Sequence, residues 1–429
     1  MVPHIRFPSL AGLLLVAALA PARDATAQAP SVNGCLACHR GLSDPRFSTP
    51  AALFSQSDVH RESGFACGDC HGGDPAADVK ERAHDATQGF KGRPAGQTLI
   101  ATCARCHSDA ELMRRYSPRQ RVDQAAEYAT SVHGKQLTTG DQKVATCVSC
   151  HGAHGIRAVR DVKSPVYPTN VAATCAGCHA RESHMRGYTL PDGSPLPTNQ
   201  LAEYDKSVHY TAMMNGGDLS APTCNDCHGN HGAAPPGVGA IVNVCGTCHA
   251  IFAQRFEKSV HRELFDTGCV ECHGNHAVLQ PTDAMLDTGA GSVCGSCHSG
   301  ADDKGAQTAT AIRNGIEGLK TRLDRSSALV ARIRNDGMEV GEQELALAEA
   351  RTRLTLARTE MHTSDVALVD RVLAEGVKLV QQVDAASEGS LAELRYRRRG
   401  LAISLAAILI VVVGLALKIR QIDRRHAGG

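Results

Sequence analysis

Apolar residues recur at helical spacing in only one long part of the chain. Ile312, Ile316, Leu319, Leu323, Val330 and Ile333 follow a three-four pattern that predicts one face of a helix, and Asn335-Asp336-Gly337 predicts its end. A second helix carries Val340, Leu347, Ala350, Leu354, Ala357 and Met361. Ser364 and Asp365 end it or cap a third, which carries Val366, Val369, Leu373, Val377 and Val380. Residues 305–395 therefore read as a small antiparallel helical bundle. Beyond it lies the uncharged run LAISLAAILIVVVGLAL (401–417), with Arg397, Arg398 and Arg399 before it and Lys418 and Arg420 after it. It predicts one transmembrane helix over 396–419 and a tail at 420–429. At the other end, Arg6, an apolar run from Leu10 to Ala20 and the small-x-small site Ala25-Thr26-Ala27 read as a secretory signal over 1–27. Export of the N-terminus would put the chain outside the cytoplasm up to the membrane helix, with the tail inside.

Residues 28–304 carry no such periodicity. Connections rich in Gly and Pro, such as SPVYPTN (164–170), PDGSPLP (191–197) and APPGVG (234–239), predict short helices, long loops and little sheet. The chain has no Trp and only 3% aromatic residues, so this region lacks the bulky side chains that fill an ordinary core. Something else has to fill it.

The cysteines identify what that is. All 18 fall into nine C-x-x-C pairs, each followed at once by histidine. The pairs are Cys35 and Cys38, Cys67 and Cys70, Cys103 and Cys106, Cys147 and Cys150, Cys175 and Cys178, Cys224 and Cys227, Cys245 and Cys248, Cys269 and Cys272, and Cys294 and Cys297. The histidines are His39, His71, His107, His151, His179, His228, His249, His273 and His298. C-x-x-C-H is the attachment signature of haem c: both thiols form thioethers and the histidine becomes the proximal iron ligand. One such pair alone also fits half a zinc ribbon, a redox dithiol or a disulfide. With 21 histidines in 429 residues, nine in succession would arise by chance less than about once in 10^11. The expectation is nine covalently bound haems c over 28–304.

A repeat surrounds four of these sites. YATSVHGKQLTTGDQKVATCVSCHGAHG (128–155), YDKSVHYTAMMNGGDLSAPTCNDCHGNHG (204–232) and FEKSVHRELFDTGCVECHGNHA (256–277) share aromatic-x-x-Ser-Val-His, a variable linker and C-x-x-C-H-G-x-H. FSQSDVHRESGFACGDCHGGDP (54–75) keeps the upstream histidine and loses the downstream one. The upstream His60, His133, His209 and His261, the downstream His154, His231 and His276, and the isolated His84 and His362 are the nine candidate distal ligands. His184 is left as a spare. Methionine is the rival ligand type, and Met213 and Met214 lie nearest the pattern. A histidine three residues after a proximal ligand is poorly placed to travel round the same macrocycle, so His154, His231 and His276 are expected to serve neighbouring haems.

On these motifs residues 31–300 resemble the membrane-anchored periplasmic multihaem cytochromes c of the doubled-CXXCH type. The resemblance implies bis-histidine, low-potential haems packed closely enough to pass electrons along the chain. The fold expected is mainly α with extensive loops: a haem-cored region, a C-terminal bundle and one transmembrane helix. The function expected is an inner-membrane-anchored, periplasm-facing nonahaem cytochrome. It would relay electrons between a membrane quinol-oxidising or quinone-reducing subunit, such as one carrying haem b, and periplasmic or outer-membrane redox proteins, with no nucleic acid involved. The polypeptide charge of +1 becomes roughly −8 with nine ferric haems and −17 when all are reduced, which favours basic docking surfaces. The alternative is a multihaem reductase or oxidase of a small nitrogen or sulfur compound at one five-coordinate haem.

Overall fold

The structure, a computed structural model, describes residues 33–237 and 240–426; the expected signal and the end of the tail lie outside them. The chain is mainly helical. Among the described residues no strand forms, and a single isolated antiparallel bridge joins Thr189 to Pro195. Two compact units divide it, the first comprising residues up to Ala95 together with His154–Ile156, the second Gly96–Ala153 and Arg157 onward.

The C-x-x-C-H motifs adopt two local forms. The second, fourth and sixth are isolated one-turn helices, Cys67–His71, Cys147–His151 and Cys224–His228. Each starts from an extended residue whose N–H is accepted by a side chain three positions on: Ala66 by Asp69 (2.7 Å), Thr146 by Ser149 (3.0 Å), Thr223 by Asp226 (2.8 Å). These turns and the eighth, Val270–His273, stop at a glycine of positive φ: Gly72, Gly152, Gly229 and Gly274, with φ of 71°, 81°, 85° and 74°. Only glycine takes these angles without strain. The reversal sends the chain away from the motif histidine just before the downstream histidine of the repeat. The first, third and fifth motifs instead lie within or close helices, Gly34–Arg40, Gly96–His107 and Pro168–His179, and are not followed by glycine.

The Ser-Val-His segments start short helices. Ser131, Ser207 and Ser259, all buried, cap them by accepting the N–H of Gly134 (2.9 Å), Tyr210 (3.0 Å) and His261 (3.2 Å). Asp58 occupies the same position in the first repeat and accepts from His60 N–H at 2.9 Å. The repeat's tyrosines span the variable linker: Tyr128 donates to the Ala145 carbonyl at 2.8 Å and Tyr204 to that of Pro222 at 3.0 Å, each two residues ahead of a motif.

Apolar packing is thin through this region and dense after it. Helices Lys304–Asn335, Gly341–Glu360 and Val366–His426 form a bundle whose core includes Ile316, Leu319, Ile333, Ala350, Ala357, Val369 and Val380. All six residues of the predicted first stripe are buried. Side-chain pairs fix the directions. Ser326 with Asp384 and Asp336 with Arg398 make the first and third helices parallel, while Arg353 with Glu375 and Arg334 with Glu344 set the second against them. The last helix departs from the expected division at 395: it runs unbroken from the bundle through the apolar run, because nothing between Val366 and His426 breaks it. Its apolar end is exposed and is long and apolar enough to cross a membrane.

The bundle holds the motif region at one end. Arg358 forks onto Asp283 (2.8 and 2.6 Å), Arg255 pairs with Glu360 (2.8 Å), Arg313 pairs with Asp287 (3.0 Å), and Leu286 enters the bundle core. Ile316→Ala, at a site of 0% exposure, is expected to cost about 2–5 kcal/mol. Urea unfolding followed by helical circular dichroism would show a lowered midpoint, whereas Leu345→Ala, at 64% exposure, leaves the midpoint in place.

Candidate metal centres

Eight motif histidines each face a second imidazole. Four pairs hold the histidine of an even-numbered motif: His71 with His154, His151 with His231, His228 with His276 and His273 with His362. Their ring centres lie 5.9, 6.1, 6.1 and 6.2 Å apart and their planes are within 18° of parallel. Three odd-numbered motifs face Ser-Val-His residues: His179 with His133, His249 with His209 and His298 with His261, at 6.1, 6.3 and 6.0 Å and tilted by 60°, 38° and 56°. His39 meets His84 at 6.0 Å, nearly perpendicular at 85°. These distances are too long for face-to-face stacking. A metal–nitrogen bond of about 2.0 Å, with about 1.1 Å from nitrogen to ring centre, separates two imidazoles on opposite sides of one metal by about 6.2 Å.

The hydrogen bonds leave the right atom free. His71 Nδ1 donates to the Gly92 carbonyl (2.7 Å), His228 Nδ1 to that of Ala234 (3.2 Å) and His362 Nδ1 to that of Thr359 (3.1 Å). His60 and His298 place Nδ1 on Asp58 (3.1 Å) and Asp303 (3.0 Å). Nδ1 of His231 and His276 faces Glu127 and Glu203 at 3.6 and 3.5 Å, and that of His261 lies between the hydroxyls of Ser259 and Ser364 at 3.4 and 3.3 Å. In every one of these contacts the outward atom is Nδ1, which leaves Nε2 as the donor atom for a metal. Burial pushes the pKa of His133, His151, His154, His209, His273 and His276 below the ordinary imidazole value, and a facing imidazole adds to the effect in each. The neutral, ligating form is thereby favoured.

The pairings cross between repeats. His154, His231 and His276 turn away from the motif histidine three residues before them and meet that of the even-numbered motif one repeat earlier. His133, His209 and His261 pass over the motif that follows them and meet the next. Backbone bonds follow the same crossing: Val59 N–H donates to Ile156 (2.9 Å), Val132 to Ala233 (3.1 Å) and Val208 to Val278 (2.9 Å), each acceptor lying two residues past a downstream histidine. His154–Ile156 thus belongs to the first unit, while the residues on either side of it belong to the second.

Among the described residues no disulfide joins any of the 18 cysteines, and no group of three or more His, Cys, Asp or Glu is placed to hold one metal ion. Hydrogen bonds from Cys103, Cys175 and Cys245 pull Cys147, Cys224 and Cys269 down to about 7, so first cysteines of successive motifs adjoin. Cys150, raised chiefly by desolvation, also feels Cys147 and Cys178; Cys227, raised chiefly by desolvation and Asp226, also feels Cys224 and Cys248. From the third motif to the eighth, successive motifs therefore adjoin alternately through their first and second thiols.

His60 also packs edge-on against Phe65, and His107 closes the helix Gly96–His107. His184, in the short helix Glu182–Met185, bears on the charge of His179 without pairing with it ring to ring. Met213 is buried in the segment 211–215, and Met214 is exposed. The sequence reading missed the carboxylates Asp58, Glu127, Glu203 and Asp303. Asp58 was visible as the one acidic residue at the repeat's serine position, and the two glutamates stand just before the repeat's tyrosines. No family model, curated protein or solved structure matches this chain.

Proposed function

We propose that this protein is a nonahaem c-type cytochrome that relays electrons, with haem c attached at each of the nine C-x-x-C-H motifs. The observation that carries the reading is the set of eight imidazole pairs, each separated by the span of one metal and each joining one motif to a histidine outside it. Iron held by two imidazoles changes oxidation state without gaining or losing a ligand, so it carries electrons and offers no open position to a substrate. The chain's own part is to hold each imidazole at a fixed angle through its Nδ1 partner and to bring attachment thiols of successive motifs together, which keeps the hops short.

The long terminal helix is read as the anchor, with the motif region on the periplasmic side of a bacterial inner membrane. At 1.5 Å per residue, Val366 stands about 50 Å from Leu401 along that helix. The docked motifs at the Val366 end therefore exchange electrons with the quinone pool through a partner that has redox centres of its own. Periplasmic or outer-membrane redox proteins take the other side of the relay.

Haem extracted from the full chain and measured against protein is expected to give nine per polypeptide, falling by one in Cys147→Ala/Cys150→Ala. Electron paramagnetic resonance of the oxidised protein is expected to show only low-spin ferric iron, in two classes. The near-parallel even-numbered pairs split the iron orbitals most, and the tilted odd-numbered pairs split them least. A high-spin signal in the native protein would overturn the relay and favour the small-molecule reductase. His362→Ala is expected to convert one haem in nine to the high-spin form, with added imidazole restoring it.

A further inference from the structure

The partners of Nδ1 are not alike. Three histidines donate to neutral backbone carbonyls and His261 faces two hydroxyls, whereas His60 and His298 lie within 3.1 Å of a carboxylate oxygen. Glu127 and Glu203 stand farther back, at 3.6 and 3.5 Å. Both close carboxylates are fixed by other bonds. Asp58, whose side chain is 2% exposed, also accepts the N–H groups of His60 (2.9 Å) and Ile156 (3.0 Å). Asp303 uses the same oxygen for His298 Nδ1 and for Ala306 N–H (3.0 Å), capping the first bundle helix. Gly305 makes room for this: a Cβ there would lie 2.1 Å from the His298 ring.

An anion that accepts the Nδ1 proton draws it off the ring and makes Nε2 a stronger donor to iron. That favours the ferric state and lowers the potential, and at Asp58 burial preserves the effect by limiting solvent screening. We propose that Asp58 and Asp303 are positioning residues that make the haems ligated by His60 and His298 the most reducing of the set. The proposal rests on the haem reading above. It explains why the repeat carries Asp58 where its three siblings carry Ser131, Ser207 and Ser259. It also gives the docked end of the bundle a second task, since the side chain that starts its first helix would set the potential of the last haem.

The test is a spectroelectrochemical titration of the full-length, haem-loaded protein in detergent, comparing Asp58→Asn, Asp303→Asn and the double variant with the native chain. Asparagine keeps both helix caps while removing the charge. Each single variant is expected to move one ninth of the absorbance change out of the most negative part of the curve to higher potential, and the double variant two ninths. Asp58→Ser, which installs the residue of the sibling repeats, is expected to act as Asp58→Asn does. Glu127→Gln is expected to move its ninth by less. Unchanged curves from variants that retain nine low-spin haems would overturn this proposal alone. Native protein without haem would instead overturn the reading beneath it.

Discussion

Everything in the motif region depends on the distance between two imidazoles. About 6 Å is too far for the rings to stabilise one another by contact, and His151 and His154 are partly desolvated. A shared group that supplied both the bond to Nε2 and the apolar surface that the sequence lacks would account for such pairs energetically. On the haem reading, folding and cofactor loading are one process. Each crossed pair then ties one repeat to another, so the region is stabilised by ligation across repeats more than by a side-chain core.

The crossing rule also accounts for the ends of the series. A downstream histidine serves the even-numbered motif one repeat earlier, and the second motif has no such predecessor. Its lack of a downstream histidine, in CGDCHGGDP, follows from that and is not a defect. At the other end the eighth motif has no later repeat to supply its partner, and the bundle provides it. His362 meets His273, and Ser364, two residues on, meets Ser259 and His261, just as Ile156, Ala233 and Val278 meet their neighbours. Ser364 has a φ of 59°, strained for a residue other than glycine, in a turn whose geometry is set by this docking. The bundle thus ends the repeat by imitating its tail.

Much of this could be read from the chain and some could not. The bundle faces were legible because three-four spacing is a local signal, and Ile312 through Ile333 are buried as the pattern requires. The nine C-x-x-C-H motifs were legible as a pattern because each thiol pair stands directly before a histidine. That His154 turns away from its own motif was inferable from Gly152 between them. Which histidine it meets was not, since His71 lies 83 positions earlier and partner choice is a property of the assembled repeats. Asp303 was opaque for a related reason: it sits five residues past His298, in no repeat, and acquires its role only when the helix it caps is docked.

The continuous helix from Val366 to His426 constrains any electron path more than the motifs do. Had the bundle and the apolar run been joined by a loop, the motif region could fold back against a membrane. A single helix paired with two others along its first half is stiff, and Arg398 bound to Asp336 carries the bundle's packing to the edge of the apolar run. On the haem reading, the haems around His362 and Asp303 would sit at the far end of a rigid spacer, and among the described residues the bundle has no histidine–histidine pair between its two ends to act as a stepping stone. On the relay reading, electrons entering from the bilayer would have to climb through another protein, so the spacer would select partners by their height above the membrane as well as by their charge.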